Sequence, residues 1–249
     1  IGRWLKARGR RGDVLIFTKV GSDMGSGQTL KRDYIIRAAE DSLRRLQTET
    51  IDLYQTHFDD PDTPVEETLQ AYATLIAQGK VRVIGASNVG PDRLRASLAA
   101  SQRLGIPRYE CLQPHYNLCE RSRYERDYEE LCREEGLGVI TYYALASGFL
   151  SGKYRSRDDL TKSAARGGGV GKYLHARGLR ILDALDAVAA RHAATPAQIA
   201  LAWQLTKPTV TAPIVSATTL HQLAEILKAP EIVLTGEDVA ALDAASAEA

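Results

Sequence analysis

Residues 51–88, "IDLYQTHFDDPDTPVEETLQAYATLIAQGKVRVIGASN", decide the fold class of this chain. The first run, "IDLYQTHF" (51–58), and the last, "VRVIGASN" (81–88), are nearly continuous in apolar residues, which is typical of strands covered on both faces. Between them, "TPVE" (63–66) has the pattern of a helix capping box with Pro64 at the first helical position. Strand, helix and strand in this order predict a parallel βαβ unit.

The same alternation continues along the chain. Four more strands are predicted, at "VLIFTKV" (14–20), "YECLQPHYN" (109–117), "GVITYYA" (138–144) and "VTAPIVSA" (210–217). Helices are predicted at the start of the chain up to Gly9, at 31–46, 91–104 and 121–135, after the capping box "TPAQ" (195–198), and at 218–229 and 235–245. The residues alone leave two architectures open, a doubly wound open sheet and an eightfold barrel. A barrel would need two more βα units before residue 1, or roughly 60 residues.

One segment does not follow this alternation of strands and helices. Residues 146–178, "ASGFLSGKYRSRDDLTKSAARGGGVGKYLHARG", form a long connection rich in glycine and basic residues. Connections of this length in compact domains are usually functional or disordered. The basic side chains could meet phosphate groups, and a solvated insert is the alternative.

Composition limits the partners. Lysine and arginine number 32 against 31 for aspartate and glutamate, and the resulting net charge of +1 gives no field that attracts nucleic acid or an anionic membrane. The sequence contains no apolar run near the ~20 residues of a membrane helix. The three cysteines are sparse and odd in number, which favours a reducing compartment, so we predict a cytoplasmic location. Cys111, His115 and Cys119 match no zinc-site spacing, and no metal is predicted.

Polar residues stand at the carboxyl end of every predicted strand. Chemistry in parallel α/β folds lies beyond these ends, so they are the place to look for a site. In chain order the residues are Lys19, His57, Ser87 with Asn88, Gln113, Tyr142, and Ser216 with Thr218.

Four of these residues also have a purely structural interpretation. Lys19 could pair with a carboxylate, or it could lower the pKa of a neighbour or form a Schiff base. His57 could be a core histidine bonded to a carbonyl, or a donor that polarises a substrate carbonyl. Ser87 and Asn88 could cap the helix at Pro91.

Two glycine-rich stretches do not match nucleotide motifs. "GSDMGSGQT" (21–29) follows a strand but lacks the lysine of a phosphate-binding P-loop. "GGGVG" (167–171) has no strand before it, so it is not a dinucleotide fingerprint.

Several motifs together resemble a known family. The stretch 52–88, with "FTKVG" (17–21), "LQPHYN" (112–117), "YYALASGFLSGKY" (142–154) and "VTAPIVSATTLHQL" (210–223), resembles the aldo-keto reductases. The resemblance is strongest to bacterial members related to the β-subunits of voltage-gated potassium channels. It implies one (β/α)8 TIM barrel domain over residues 1–249, with about the first two βα units absent. It also implies reduction of aldehydes or ketones by hydride transfer from NADP(H).

The resemblance assigns roles to individual residues. Lys19 and His57 take the catalytic lysine and histidine positions. Ser87, Asn88 and Gln113 would bind the nicotinamide carboxamide, and Tyr142 would stack under the nicotinamide ring. The pyrophosphate would be lined by Leu145, Ser147, Leu150 and Lys153, under a covering loop formed by residues 146–178. The adenosine end would meet Ser216, Ala217, Thr218, Gln222 and Glu225.

The sequence departs from the family pattern in two places. The family's catalytic aspartate and tyrosine match no residue here, and we expect them in a segment that precedes residue 1. A basic residue that grips the 2′-phosphate in many relatives has no counterpart before Lys228, and Ile226 replaces an asparagine. NADP(H) remains the predicted cofactor, NAD(H) is possible, and Arg155 or Lys162 could supply the missing charge.

The sequence is also compatible with two other functions. One is a regulatory subunit that binds the cofactor with little turnover. The other is a lyase that uses Lys19 to form a Schiff base. For the carbonyl reductase hypothesis the substrate is a small carbonyl compound. The sequence specifies neither the identity of that compound nor an oligomeric state.

Overall fold

A computed structural model of the chain describes residues 1–25, 27, 29–162 and 167–248. The chain divides into two compact units. The first comprises residues 1–113 and 134–137, and the second comprises residues 114–133 and 138–249.

The first unit alternates helices and parallel strands. Its elements are α1 (Gly2–Arg8), β1 (Phe17–Val20), α2 (Arg32–Leu46), β2 (Ile51–Thr56), α3 (Val65–Ala77), β3 (Val81–Ser87), α4 (Pro91–Leu104) and β4 (Tyr109–Gln113). The strands β1 to β4 pair in chain order, and each pair is parallel. Lys19 lies opposite Gln55, and Ser87 lies opposite Gln113. The βαβ prediction for residues 51–88 is therefore confirmed.

A tyrosine cluster fills the core behind β2. Every residue of β2 is buried, as its continuous apolar run predicts. The Thr56 hydroxyl lies 2.8 Å from the hydroxyls of both Tyr72 and Tyr109. Because both rings are buried, the pKa of Tyr109 is raised to about 12 and that of Tyr72 well above its usual value. These phenols serve as packed hydrogen-bonding groups and remain protonated.

The predicted capping box at 63–66 is wrong. Helix α3 begins at Val65 with Pro64 as its N-cap, and no side chain caps it. The Thr63 hydroxyl instead donates to the Asp60 carboxylate over 2.7 Å, and this carboxylate also accepts the Leu30 backbone N–H at 2.9 Å. Because the Thr63 hydroxyl is bonded to the buried Asp60 carboxylate, it does not cap helix α3.

The remaining elements lie in the second unit, apart from residue 134. They are α5 (Ser122–Asp127), α6 (Glu129–Glu134), β5 (Gly138–Thr141), α7 (Gly167–Val170), α8 (Ala176–Arg191), α9 (Pro196–Leu205), β6 (Val210–Pro213), α10 (Leu220–Ile226) and α11 (Gly236–Ser246). β5 and β6 are parallel, with Val139 opposite Val210. The capping box at Thr195 and Gln198 is confirmed. The helix predicted at 121–135 is two short helices separated at Tyr128.

The long connection 146–178 is folded into short helical segments where it is described. It contains 3-10 turns at Ala146–Ser151, Asp158–Lys162 and Gly171–Tyr173, the short helix α7, and the start of α8. Its anchors are the buried side chains of Phe149, Leu150, Tyr154, Val170 and Tyr173. Residues 163–166 of the predicted loop lie outside the described residues. Helix α8 was not predicted, although its buried positions at 178, 181, 182, 185, 188 and 189 have helical spacing.

Within the described residues, no helix has both the length and the apolar character that crossing a bilayer would require.

Candidate active site

Lys19 lies on β1 in the first unit and is half-buried. Burial lowers the pKa of its ammonium group, and the nearby Cys111 thiol opposes that shift. Among the described residues, no carboxylate pairs with Lys19 or contributes to its pKa shift. The structural interpretation of Lys19 as an ion-paired residue therefore has no support in this part of the chain.

His57 follows the last residue of β2 and is held from three sides. Its backbone N–H donates to the Val20 carbonyl at 2.7 Å, and its own carbonyl accepts from Asn88 Nδ2 at 2.9 Å. Its ring stacks on that of Phe58 with 4.4 Å between centroids. The imidazole thus has one defined position at the strand end.

Ser22 contacts the His57 ring and was not predicted. Its Oγ lies 2.6 Å from His57 Nδ1. The turn that brings it there uses Gly21 at φ 95°, where a Cβ would come within 2.9 Å of the Phe58 carbonyl oxygen. Burial, with a smaller contribution from the Lys19 ammonium, lowers the pKa of His57, so the ring is neutral at pH 7. A neutral ring that accepts the Ser22 hydroxyl at Nδ1 carries its proton on Nε2.

Ser87, Asn88 and Gln113 are brought together at the ends of β3 and β4. The Ser87 hydroxyl donates to the Gln113 carbonyl at 2.9 Å, and Asn88 Nδ2 lies 3.1 Å from Ser87 Oγ. Helix α4 has Gly90 as its N-cap and no side-chain cap, so the capping interpretation of Ser87 and Asn88 is wrong. Gln113 Nε2 also donates to Gln55 Oε1 at 3.1 Å. Gln55 was not predicted, although a polar residue within an apolar strand was a visible signal.

A cavity of about 440 Å³ in the first unit adjoins the two predicted catalytic residues. Its lining includes Lys19, Ser22 and His57, together with Met24 and Tyr34. Tyr34 lies on α2, so its place beside the strand ends could not be inferred from strand positions.

A second cavity, of about 510 Å³, lies in the second unit beyond β5 and β6. Four of its lining residues were predicted to bind the cofactor: Tyr142, Leu145, Ser147 and Ser216. The others are Tyr143, Ala144, Gly148, Gly169, Ile214 and Val215. The Tyr142 ring stacks on His115, with 5.2 Å between ring centroids.

The backbone bordering this second cavity has an unusual conformation. Tyr143, Ala146 and Ser147 have φ angles of 53°, 48° and 59°, in the left-handed region that non-glycine residues rarely adopt. Successive residues of this kind can turn their N–H groups toward one point and form a concave anion site. Strained backbone also clusters at ligand sites. These φ angles have no signature in the sequence, apart from the neighbouring Gly148.

The remaining predicted cofactor residues lie outside the cavity lining. Leu150 is fully buried, and the Lys153 ammonium lies over the Tyr154 ring at 5.0 Å. Ala217 packs against a small apolar cluster that includes Ile226. Further along, Gln222 Oε1 accepts the backbone N–H and the hydroxyl of Thr218, both at 2.9 Å, and the Glu225 carbonyl accepts from Gln198 Nε2 at 2.8 Å.

Arg155, one of the two residues suggested for the 2′-phosphate, is paired with carboxylates of its own unit. Its guanidinium lies 2.6 Å from the Asp186 carboxylate and 3.7 Å from that of Asp183. The side chain of Lys162, the other candidate, lies outside the described part of the chain. The described residues also contain no group of three His, Cys, Asp or Glu side chains that could share a metal ion.

Comparison with known proteins places the chain in a family. A model of the aldo/keto reductase family matches residues 1–247. The chain belongs to the aldo/keto reductase family. It is 35% identical to the uncharacterized oxidoreductase YrpG of Bacillus subtilis strain 168, over 95% of this chain and 73% of that protein. It is 31% identical to a probable voltage-gated potassium channel subunit beta of Oryza sativa subsp. japonica, over 94% of this chain and 74% of that one.

A solved structure agrees with this assignment. The thermostable aldo-keto reductase Tm1743, crystallised with the inhibitor epalrestat, superimposes with a TM-score of 0.77 and 33% identity. The match covers 98% of this chain and 75% of that one. The predicted resemblance and the (β/α)8 fold class are confirmed. Membership in this aldo/keto reductase family makes an oxidoreductase of the carbonyl-reducing kind the general function.

Proposed function

We propose that this aldo/keto reductase uses NADP(H) to reduce aldehydes or ketones to alcohols, with NAD(H) as a possible substitute. The observation that carries the proposal is the pair of Lys19 and His57 beside one cavity. Lys19 brings an ammonium with no carboxylate partner among the described residues, and His57 brings a neutral imidazole.

This pair suits carbonyl reduction. When bound, the reduced nicotinamide supplies the hydride that adds to the carbonyl carbon. Negative charge then develops on the carbonyl oxygen, and donors aimed at that oxygen stabilise the transition state. His57 would donate from Nε2, while Lys19 would favour the charged form of the family's proton-donating phenol. That phenol matches no residue of this chain.

Each unit, taken by itself, carries groups that would suit a part of the cofactor. In the first unit, the hydroxyl and amide groups of Ser87, Asn88 and Gln113 suit a carboxamide, which both donates and accepts hydrogen bonds. In the second unit, the Tyr142 ring suits stacking on nicotinamide. The left-handed backbone at Ser147 suits pyrophosphate.

Further residues complete the proposed cofactor contacts. Leu145, Leu150 and Lys153 would lie along the pyrophosphate, and residues 146–178 would cover it. The adenosine end would meet Ser216, Ala217, Thr218, Gln222 and Glu225.

Steady-state kinetics test the proposed roles of His57 and Lys19. Reduced-nucleotide consumption would be followed with a panel of aldehydes and ketones for wild type, His57→Ala and Lys19→Met. Each substitution should lower kcat about 10²- to 10³-fold, because it removes charge stabilisation made in the transition state. The dissociation constant of the nucleotide should change little. Lys80→Met, which removes a surface ion pair with Glu40, is the matched control and should retain activity.

The outcomes separate this role from a structural one. Equal losses in kcat and nucleotide affinity for His57→Ala would contradict the assignment of His57. Similarity to potassium channel β-subunits favours one second candidate, a nucleotide-binding regulatory subunit. Stoichiometric nucleotide binding without turnover across the panel would support that candidate instead.

A further inference from the structure

Gln55 is a fully buried amide on a strand that is otherwise built for packing. It lies on β2, level with Lys19 on β1 and Gly85 on β3, and its exposed fraction is 0%. Its neighbours Tyr54 and Thr56 are assigned to the tyrosine core. Gln55 belongs to the other face of the sheet, together with Lys19.

Gly85 gives Gln55 the room to reach a distant strand. Gln55 is on β2 and Gln113 is on β4, so β3 separates them by two interstrand spacings, or about 10 Å. A Cβ at Gly85 would stand 3.3 Å from Gln55 Cγ and 2.9 Å from the Cys111 carbonyl oxygen. The absence of a side chain at Gly85 lets the Gln55 side chain lie close over β3.

The hydrogen bond across β3 sets the direction of the Gln113 amide. Gln113 Nε2 donates to Gln55 Oε1 at 3.1 Å. The opposite end of that amide, Oε1, is therefore turned away from Gln55. No donor from the described residues bonds to Gln113 Oε1. The strand end thus presents an acceptor.

While the oxygen of the Gln55 amide accepts from Gln113, the nitrogen of the same amide is left unpaired. Its Nε2 is buried and has no hydrogen-bond partner among the described residues. A buried donor without a partner destabilises the fold, and an apolar side chain of similar length would avoid that penalty. The benefit of Gln55 therefore lies in its oxygen, which holds Gln113.

We propose that Gln55 is a positioning residue that fixes the Gln113 amide with its oxygen facing the nicotinamide. The site then selects a ring whose 3-substituent donates an N–H, as a primary carboxamide does. This inference rests on the proposed function, since it concerns how the cofactor is read.

A binding comparison tests the orientation directly. The nucleotides are NADP⁺ and its 3-acetylpyridine analogue, in which a methyl group replaces the carboxamide NH₂. For each variant the measured quantity is the dissociation constant of the analogue divided by that of NADP⁺. Gln55→Met should lower this ratio about fivefold relative to wild type, because the freed Gln113 amide can turn its donor toward the remaining carbonyl. Gln55→Glu keeps an acceptor for Gln113 Nε2 and should retain the wild-type ratio.

Every outcome bears on the proposal. An unchanged ratio in Gln55→Met, with folding verified by circular dichroism, overturns the inference and leaves the proposed function in place. A wild-type ratio near one also overturns it, since the carboxamide NH₂ would then make no selected contact. If the wild-type protein binds neither nucleotide, the proposed function fails, and the inference fails with it. Should Gln55→Met not fold, a lowered ratio in Gln55→Glu would overturn the inference by itself.

Discussion

At the scale of single residues, the ring nitrogen of His57 that carries the proton determines which hydrogen bond the side chain can offer to a substrate. The Ser22 hydroxyl and His57 Nδ1 are 2.6 Å apart, and the ring is neutral near pH 7. The hydroxyl can donate to Nδ1 only when the ring proton is on Nε2. We expect the Ser22 hydroxyl to be the donor, in which case His57 presents an N–H at Nε2 to a substrate oxygen.

Replacing Ser22 with alanine should relax this choice. In Ser22→Ala the imidazole would populate both tautomers, so kcat should fall while the dissociation constant of the nucleotide stays within about twofold. Imidazole ¹⁵N shifts report the tautomer without any turnover, and Ser22→Thr, which retains a hydroxyl, should restore the wild-type spectrum. Identical spectra for wild type and Ser22→Ala would contradict this role.

The charge on Lys19 should be measurable through His57. Burial is the main cause of the lowered pKa of His57, and the Lys19 ammonium adds to it. In Lys19→Met the pKa of His57 should rise but stay below the ordinary ~6.5. Titration by NMR checks this, and an unchanged or lower pKa would be inconsistent with the contact.

The same shift predicts how stability depends on pH. A histidine with a lowered pKa binds its proton less readily in the folded protein than in the unfolded chain. Its contribution to stability is therefore present above about pH 6.5 and is lost as the pH falls below that value.

At the scale of elements, Asp60 fixes the segment between β2 and α3. Its carboxylate accepts from the Leu30 N–H, the Thr63 hydroxyl and the Asp62 N–H. Burial opposes ionisation, yet these hydrogen bonds prevail and hold the pKa of Asp60 below its usual value. The segment that leads away from His57 is thereby tied to the start of α2.

Asp60→Asn should destabilise the protein by about 1–3 kcal/mol, because two acceptor positions are reduced to one and buried donors lose their partners. Urea unfolding at neutral pH measures the change, with the exposed Asp62→Asn as the matched control. Since the pKa of Asp60 is lowered, its contribution should be full above about pH 4 and disappear as the pH falls through the lowered value. A wild-type free energy of unfolding for Asp60→Asn would refute this function of the carboxylate.

At the scale of the whole molecule, a bound nucleotide should act as a stabiliser. A ligand that binds only the folded state at 100 times its dissociation constant adds about 2.7 kcal/mol. For a chain of this size the corresponding rise in Tm is roughly 5–10 °C. Differential scanning fluorimetry with NADP⁺ and NAD⁺, each titrated to saturation, would compare the two cofactors. The absence of any rise with both would contradict the proposed function.

The sequence predicted those features that depend on residue type and order. Continuous apolar runs such as 51–58 identified the parallel strands. The polar residues predicted at their ends include Lys19 and His57, which line one cavity. What escaped prediction depends on three-dimensional geometry. The contact of Ser22 with His57 requires the left-handed turn at Gly21. The capping box predicted at 63–66 does not form, because the Thr63 hydroxyl donates to Asp60 instead.

The second cavity illustrates the same limit. Tyr143 and Ala146 have positive φ angles that their side chains disfavour, so the local sequence gives no sign of the concave backbone they border. The hydrogen bond between Gln113 and Gln55 likewise depends on the strand register, which places Gly85 opposite Gln55. Secondary-structure propensity and hydrophobic pattern can be judged from neighbouring residues. Strand register depends on residues that are far apart in the sequence, so it could not be predicted in this way.

The three cysteines offer a separate use. Cys111, Cys119 and Cys132 are all buried thiols that form no disulfide, and burial raises the pKa of Cys119 and of Cys132 to about 12. Alkylating reagents attack the thiolate, so these thiols should be shielded until the chain around them opens. Cys111 belongs to the first unit, and the other two belong to the second. Timed alkylation followed by peptide mass spectrometry would therefore reveal which half of the molecule loosens first under mild denaturant, with no engineered label.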